Sequence, residues 1–323
     1  MKTNPCSLFI VVASLLATTV PAWAQQYPTR AVRLIVPFPP GGGTDTMARA
    51  IAPKLSELLG QQVVPENRGG AGANIGAEVA AKSAPDAYTL MLATITNAIG
   101  ATLYTKLNYD LVRDFAPITR LATTPHILVV HPSVPVKTVK EFTAFARARP
   151  GDITYSSSGA GSAAHLAGEL FSSLTNVKMV HVPYKGGGPS MIALVGGEVS
   201  VCFATMPSAV GYVRSGRLRG IAVTTDKRSP SMPELPTIAE TGVAGYEAGS
   251  WYGLSAPAGT SKEIIARLHG ETMKVMALPD IKERLFNAGF EVVTSSPEQF
   301  AAFTRSEIQK WGKLVKATGL KAD

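Results

Sequence analysis

Short runs of β-branched and apolar residues alternate with stretches of helical periodicity along most of the chain. Val32-Arg33-Leu34-Ile35-Val36, closed by Pro37, reads as a strand. After Gly41-Gly42-Gly43, apolar residues recur at Met47, Ile51, Leu55 and Leu58/Leu59, one face of a helix that Gly60 should cap. Pro53 falls inside that helix and should kink or split it. Gln62-Val63-Val64 and Tyr88 to Leu92 read as further strands, with Asn74 to Ser83 helical between them. This β-α-β-α-β order predicts a mostly parallel sheet covered on both faces.

The pattern then restarts. Strands are expected at Ile127 to Val130, Ile153 to Tyr155, Val180 to Val182, Val199 to Phe203 and Leu218 to Val223. Helices are expected at Val139 to Ala148 and Ser162 to Leu174. Two similar units in one chain predict two α/β lobes. The tail is helical, opening on Ser296-Pro297-Glu298-Gln299, which supplies a cap, a first-turn proline and a capping-box glutamine in order. Phe300, Phe303, Trp311, Leu314 and Val315 read as the packing stripe of that helix.

The first 24 residues have a different style. Lys2 precedes an apolar run of 13 residues, Leu8 to Val20, and Ala22-Trp23-Ala24 matches the small-x-small cleavage pattern of a secretory signal. Thirteen residues span about 20 Å as a helix, short of the ~30 Å hydrocarbon core. Cleavage is expected after Ala24, leaving a product outside the cytoplasm with Cys202 as its one cysteine. That cysteine lies in the apolar run 199–204 and reads as a core residue.

With 46% hydrophobic residues the chain can build a large core, and two cysteines exclude a disulfide scaffold. The net charge of +8 is spread without a basic run, which argues against a nucleic-acid arm and suits an anionic small molecule.

Candidate chemistry sits in two glycine-rich loops, each between a strand and a helix: residues 37–45 and residues 156–162. Glycines let the backbone turn sharply, and a helix N-terminus adds partial positive charge and unpaired N–H donors. Such loops form anion sites without lysine or arginine. Neither carries the Gly-Lys-Ser/Thr of a P-loop, and Gly70 to Gly76 is one residue too long for a dinucleotide fingerprint. Ser162 and His165 stand three apart at a helix start, but no G-x-S-x-G elbow is present, and no histidine has metal-ligand spacing. No enzymatic constellation, metal or cofactor is therefore expected.

At these loops the sequence resembles a known family, the Bug-type (TctC-like) periplasmic substrate-binding proteins of tripartite tricarboxylate transport systems. The likeness is carried by PFPPGGGTDTMAR (37–49), PENRGGAGANIGAEVAAKSAPDAYTL (65–90) and HPSVPVKTVKEF (131–142). It continues through ITYSSSGAGSAAHLAGELF (153–171), VPYKGGGPSMIALVGGEV (182–199) and WYGLSAPAGTSKEI (251–264).

The resemblance implies a type II periplasmic-binding-protein fold: two doubly wound α/β lobes, joined by a two-crossover hinge, that close on a ligand cleft. With crossovers near Thr123–Pro125 and Gly245–Ser250, residues 27–123 and 249–323 would form lobe one and residues 124–248 lobe two. It further implies a receptor that captures a small di-, tri- or aromatic carboxylate and hands it to membrane permease subunits, acting as a monomer. Delivery of the same signal to a membrane sensor is the alternative role.

Carried over onto this chain, the first loop contributes Phe38, Gly42, Gly43, Thr44 and Asp45, and the second Ser157, Gly159, Ala160, Gly161, Ser162 and His165. Thr94, Asn97, Tyr184 and Thr205 fall where other pocket walls are expected. Asp45, acidic in a site for anions, is expected to accept backbone hydrogen bonds and hold its loop open. The chain departs from the family pattern at Pro53, at Ala87 in place of a common glycine, and after Phe203, where an acidic residue is often found. The last departure argues against an amino-acid ligand.

Overall fold

The computed structural model describes residues 27–318; the expected export signal lies outside them. The first unit runs β1 (Val32–Val36), α1 (Gly43–Leu59), β2 (Val63–Asn67), α2 (Asn74–Ala81), β3 (Thr89–Thr94) and α3 (Ile95–Leu103). A long strand, β4 (Phe115–Val130), leads into α4 (Val139–Arg147), β5 (Ile153–Ser157), α5 (Ala163–Thr175), β6 (Met179–Pro183), α6 (Gly187–Val195), β7 (Val201–Thr205), α7 (Met206–Arg214) and β8 (Arg219–Val223). The chain returns through β9 (Gly249–Pro257) to α8 (Lys262–Ala277), α9 (Pro279–Asn287), β10 (Glu291–Val292) and α10 (Pro297–Thr318).

The strands pair in the order β2-β1-β3-β9-β4-β7-β5-β6, with β8 and β10 also on β4. Pairing is parallel within each β-α-β unit, at β1–β2, β1–β3, β5–β6 and β5–β7. It is antiparallel wherever β4 or β9 takes part. The expected mostly parallel sheet is thus divided in the middle by these two strands. They carry the chain across and back, so they must run in opposite directions.

β4 is much longer than the four residues expected from sequence. Its first part pairs with β9 as far as Pro125↔Gly249, and from His126 onward it pairs with β7 and β8. The register shifts at Pro117/Thr119, beside a proline that cannot donate to a ladder, and again at Arg120/Ala122.

Four apolar clusters fill the two halves. In the first half one cluster joins Leu34 and Leu90 to Met47, Ile51 and Leu55 of α1 and Leu268 of α8. The other joins Ile35 and Met91 to α3, Phe300 and Trp311. In the second half, Leu128, Tyr155 and Phe203 pack on α4 and α5, and Ile127, Cys202 and Val223 on α6 and α7. Helices therefore cover both faces of each half. Cys202 is in the core as expected, and burial pushes its thiol pKa up.

Local details follow from the residues. Helix α1 continues through Pro53, which is exposed, so the carbonyl left without a donor can meet water. Leu58 is 41% exposed and drops out of the buried face, whereas Gly60 caps the helix at φ 73°. Ala87 adopts φ 57°, the conformation a glycine would take without strain. At α10, Gln299 N donates to Ser296 Oγ (3.2 Å) and Ser296 N to Gln299 Oε1 (2.9 Å), closing the capping box read from the sequence. Ser296→Ala should reduce stability by about 1 kcal/mol in urea denaturation; an unchanged midpoint would count against the cap.

Candidate functional site: a chamber between the two halves

Five helices begin at one small chamber where the halves meet. The chamber has a volume of about 40 Å³. Gly42, Gly43 and Thr44 bring the start of α1 to it, and Thr94, Ile95 and Thr96 the start of α3. Ala163 and Ala164 belong to the start of α5, Gly187 to α6, and Thr205 and Ser208 to α7. Phe38, Ser158, Ser250 and Tyr252 complete the wall.

None of the described residues lining it is charged. Each helix start offers unpaired N–H groups and roughly half a positive charge, so the electrostatic character is that of an anion site built from main chain. Among the described residues, the hydroxyls of Thr44, Thr96 and Ser158 make no hydrogen bond, whereas Thr205 Oγ1 lies 2.7 Å from Ser208 Oγ.

A second cavity, of about 370 Å³, lies beyond Phe38 and Ser158, which line both. Its other walls are Gly70 to Ala73, Tyr104, Gly159, Ala160 and Pro183 to Lys185. The backbone at Ala71 and Ala73 is left-handed, φ 46° and 73°, an arrangement alanine rarely adopts.

Contacts between the halves shut this region. The Tyr104 hydroxyl donates to Ala160 O at 3.4 Å. Backbone meets backbone where Gly42 faces Gly187 and Gly41 faces Gly188. Within the first half, Gly43 lies under the Tyr252 hydroxyl, where an added Cβ would come within 2.3 Å of that oxygen.

Residues 47–320 match the family described as the tripartite tricarboxylate transporter family receptor, TctC. The chain belongs to the TctC family. BugT of Bordetella pertussis is 37% identical over 98% of this chain and 99% of its own. A solved R. palustris protein with adipate is 39% identical, superposes with a TM-score of 0.88, and covers 91% of this chain and 99% of its own. MatC from Rhodopseudomonas palustris, with bound malate, is 32% identical with a TM-score of 0.85, covering 90% of this chain and 100% of its own. TctC and Bug proteins are periplasmic solute-binding receptors. No described helix of this receptor is long and apolar enough to cross a membrane.

The residues expected from sequence separate into three groups in this TctC receptor. Phe38, Gly42, Gly43, Thr44, Thr94 and Thr205 line the chamber. Gly159, Ala160 and Tyr184 line the second cavity instead. Asp45, Asn97, Ser157, Gly161, Ser162 and His165 line neither, and most of them brace the loops.

Asp45 accepts from Gly41 N (3.1 Å), Asn67 Nδ2 (3.0 Å) and Arg49 Nε (2.9 Å). Burial alone would raise its pKa, but those donors outweigh burial and keep the carboxyl below its usual range. Asn97 Oδ1 accepts from Thr94 N (3.0 Å) and Thr94 Oγ1 (3.2 Å) and so sets the start of α3.

In the second loop, Ser157 Oγ accepts from Gly159 N (3.1 Å) and stands 2.7 Å from His181 Nε2. Gly161 N donates to His165 Nδ1 (3.1 Å), and Ser162 Oγ accepts from His165 N (3.3 Å) as the cap of α5. The His165 and His181 rings stack at 3.9 Å. Burial lowers both pKa values, His181 to about 3 with the neighbouring His165 adding to the effect.

Sequence reading missed Ile95, Thr96, Ser158, Ala163, Ala164, Gly187, Ser208, Ser250 and Tyr252 on the chamber wall. Gly187 had a readable signal: Gly186-Gly187-Gly188 repeats the glycine pattern between a strand and a helix. Ser250 and Tyr252 had none, because β9 reaches the site through sheet pairing.

Proposed function

We propose that this receptor captures a small organic carboxylate, of the di-, tri- or aromatic class, between two lobes and delivers it to the permease subunits of a tripartite tricarboxylate transporter. Lobe one comprises residues 27–123 and 249–323, and lobe two residues 124–248. The receptor works as a periplasmic monomer after loss of residues 1–24, and it performs no chemistry on its ligand.

The convergence of five helix N-termini on one uncharged chamber carries this reading. Main-chain donors and aligned dipoles recognise a carboxylate without a formal ion pair, which suits capture that must be reversible. Phe38, Gly42, Gly43, Thr44, Thr94 and Thr205 hold the carboxylate head. Gly159, Ala160 and Tyr184 flank the rest of the ligand, and Tyr184 offers it a ring and a hydroxyl. Asp45, Asn97, Ser157, Gly161, Ser162 and His165 keep the loops in shape. Among the described residues no acidic side chain lines the chamber, so an ammonium group would have no carboxylate partner there.

A thermal-shift panel of dicarboxylates, tricarboxylates, aromatic acids, amino acids and matched neutral amides tests the proposal. A ligand at a thousandfold excess over its Kd adds about 4 kcal/mol, which raises the melting point of a protein this size by about 6 °C. The expected result is stabilisation by an acid and none by its amide. Equal shifts from both would remove carboxylate recognition.

A further inference from the structure

His126 is the first residue of β4 to pair within the second half, standing opposite Thr205 of β7, while its neighbour Pro125 still pairs with Gly249 of β9. It has no exposed surface. Its main chain is fixed on both sides: N donates to Thr224 Oγ1 (2.8 Å), and O accepts from Thr224 N (3.0 Å). Nε2 of the ring lies 2.9 Å from Ser250 Oγ, and Nδ1 is buried without a hydrogen-bond partner. Ser250 lines the chamber, as does Thr205.

Burial lowers the His126 pKa to about 4, so the ring is neutral at pH 7 and carries one proton. Two tautomers have opposite consequences at Ser250. With the proton on Nδ1, a buried N–H has no acceptor, and Nε2 accepts the hydrogen bond of the serine O–H, leaving only the oxygen's lone pairs for the chamber. With the proton on Nε2, the ring donates to Ser250 Oγ and frees the serine O–H to donate elsewhere. Orphaned buried N–H groups are rarer than under-satisfied acceptors, which favours the second arrangement.

We propose that His126 is a positioning residue that keeps its proton on Nε2 and thereby makes the Ser250 hydroxyl a donor to the carboxylate in the chamber. This rests on the carboxylate reading of the chamber. The bond also links β4, at the first residue that pairs with β7, to β9, whose Ser250 pairs with Thr124 two residues earlier on β4. One hydrogen bond thus ties the crossover strands to ligand polarity.

Two measurements test it. In protein carrying 15N-labelled histidine, the His126 ring is expected as the Nε2–H tautomer both without ligand and with adipate or malate. An Nδ1–H tautomer overturns the proposal. In calorimetry with the same two acids, Ser250→Ala and His126→Asn should each weaken affinity about tenfold, the scale of a hydrogen bond to a charged group. His126→Gln, whose amide nitrogen reaches the Nε2 position, should stay within about threefold of the wild type. The double variant S250A/H126N should fall no further than either single one. Equal losses in the Gln and Asn variants, or wild-type affinity in Ser250→Ala, would also overturn it. Binding of no carboxylate by the wild-type protein would instead remove the reading of the chamber, a failure that leaves the tautomer result unaffected.

Discussion

Gly188→Ala is expected to weaken ligand affinity by a hundredfold or more while the ligand-free protein keeps nearly its wild-type stability. Gly188 lies in the first turn of α6, on the second half, and faces the first loop. An added Cβ would stand 2.4 Å from Pro40 O and 3.4 Å from Gly41 Cα. Both obstacles are backbone, so no rotamer change relieves the clash. Separating the halves does, and separation draws the start of α6 away from the start of α1 and breaks up the chamber.

A hundredfold loss corresponds to about 2.7 kcal/mol against the closed form, and apparent affinity falls in proportion to the closed fraction. Calorimetry with the acid that gives the largest thermal shift reads the affinity, and small-angle scattering reads compaction on binding. Gly211→Ala is the control, because a Cβ there meets nothing within 4 Å. Wild-type affinity in Gly188→Ala would show that capture does not need this approach of the halves.

Acidification should destabilise the protein by about 3 kcal/mol between pH 7 and pH 4 through His126 alone. The group titrates near 6.5 when unfolded and near 4 when folded, because burial disfavours the imidazolium and no carboxylate offsets it. Between those values the unfolded state binds more protons, so stability falls as pH drops through this window and levels off below it. His165 and His181 shift in the same direction. Below pH 4 the Asp45 carboxylate, held under its usual range, adds a loss of the same sign. Urea denaturation at several pH values compares the wild type with His126→Gln, which has no imidazole at this position. The variant should have the shallower dependence, and parallel curves would refute the assignment.

The loops at Gly41 and Gly161 could be read early because their requirements are local. Their φ values of 87° and 72° suit glycine, and each loop lies between a strand and a helix visible in the hydrophobic pattern. The Ser296–Gln299 box and the Gly60 cap were readable for the same reason. Asp45 accepting from Gly41 N could be argued from its place in the first turn of a helix.

β4 escaped because Pro117 and Pro125 interrupt its run of strand-forming residues, and only pairing with β9 holds those residues extended. Ala71 and Ala73 gave no sign of their left-handed backbone, since alanine seldom adopts it and the surrounding fold imposes it. Neighbouring residues and the repeat of apolar positions thus determined the strands β1 to β8 in whole or part, the helices α1, α2, α4, α5 and α10, the caps named above and two of the five helix starts at the chamber. The other three starts, the Ser250–His126 contact and the fit of Gly188 under Pro40 depend on the strand order β3-β9-β4-β7. That order arises from burying four apolar clusters at once, a condition on the whole chain that no short stretch of sequence can express.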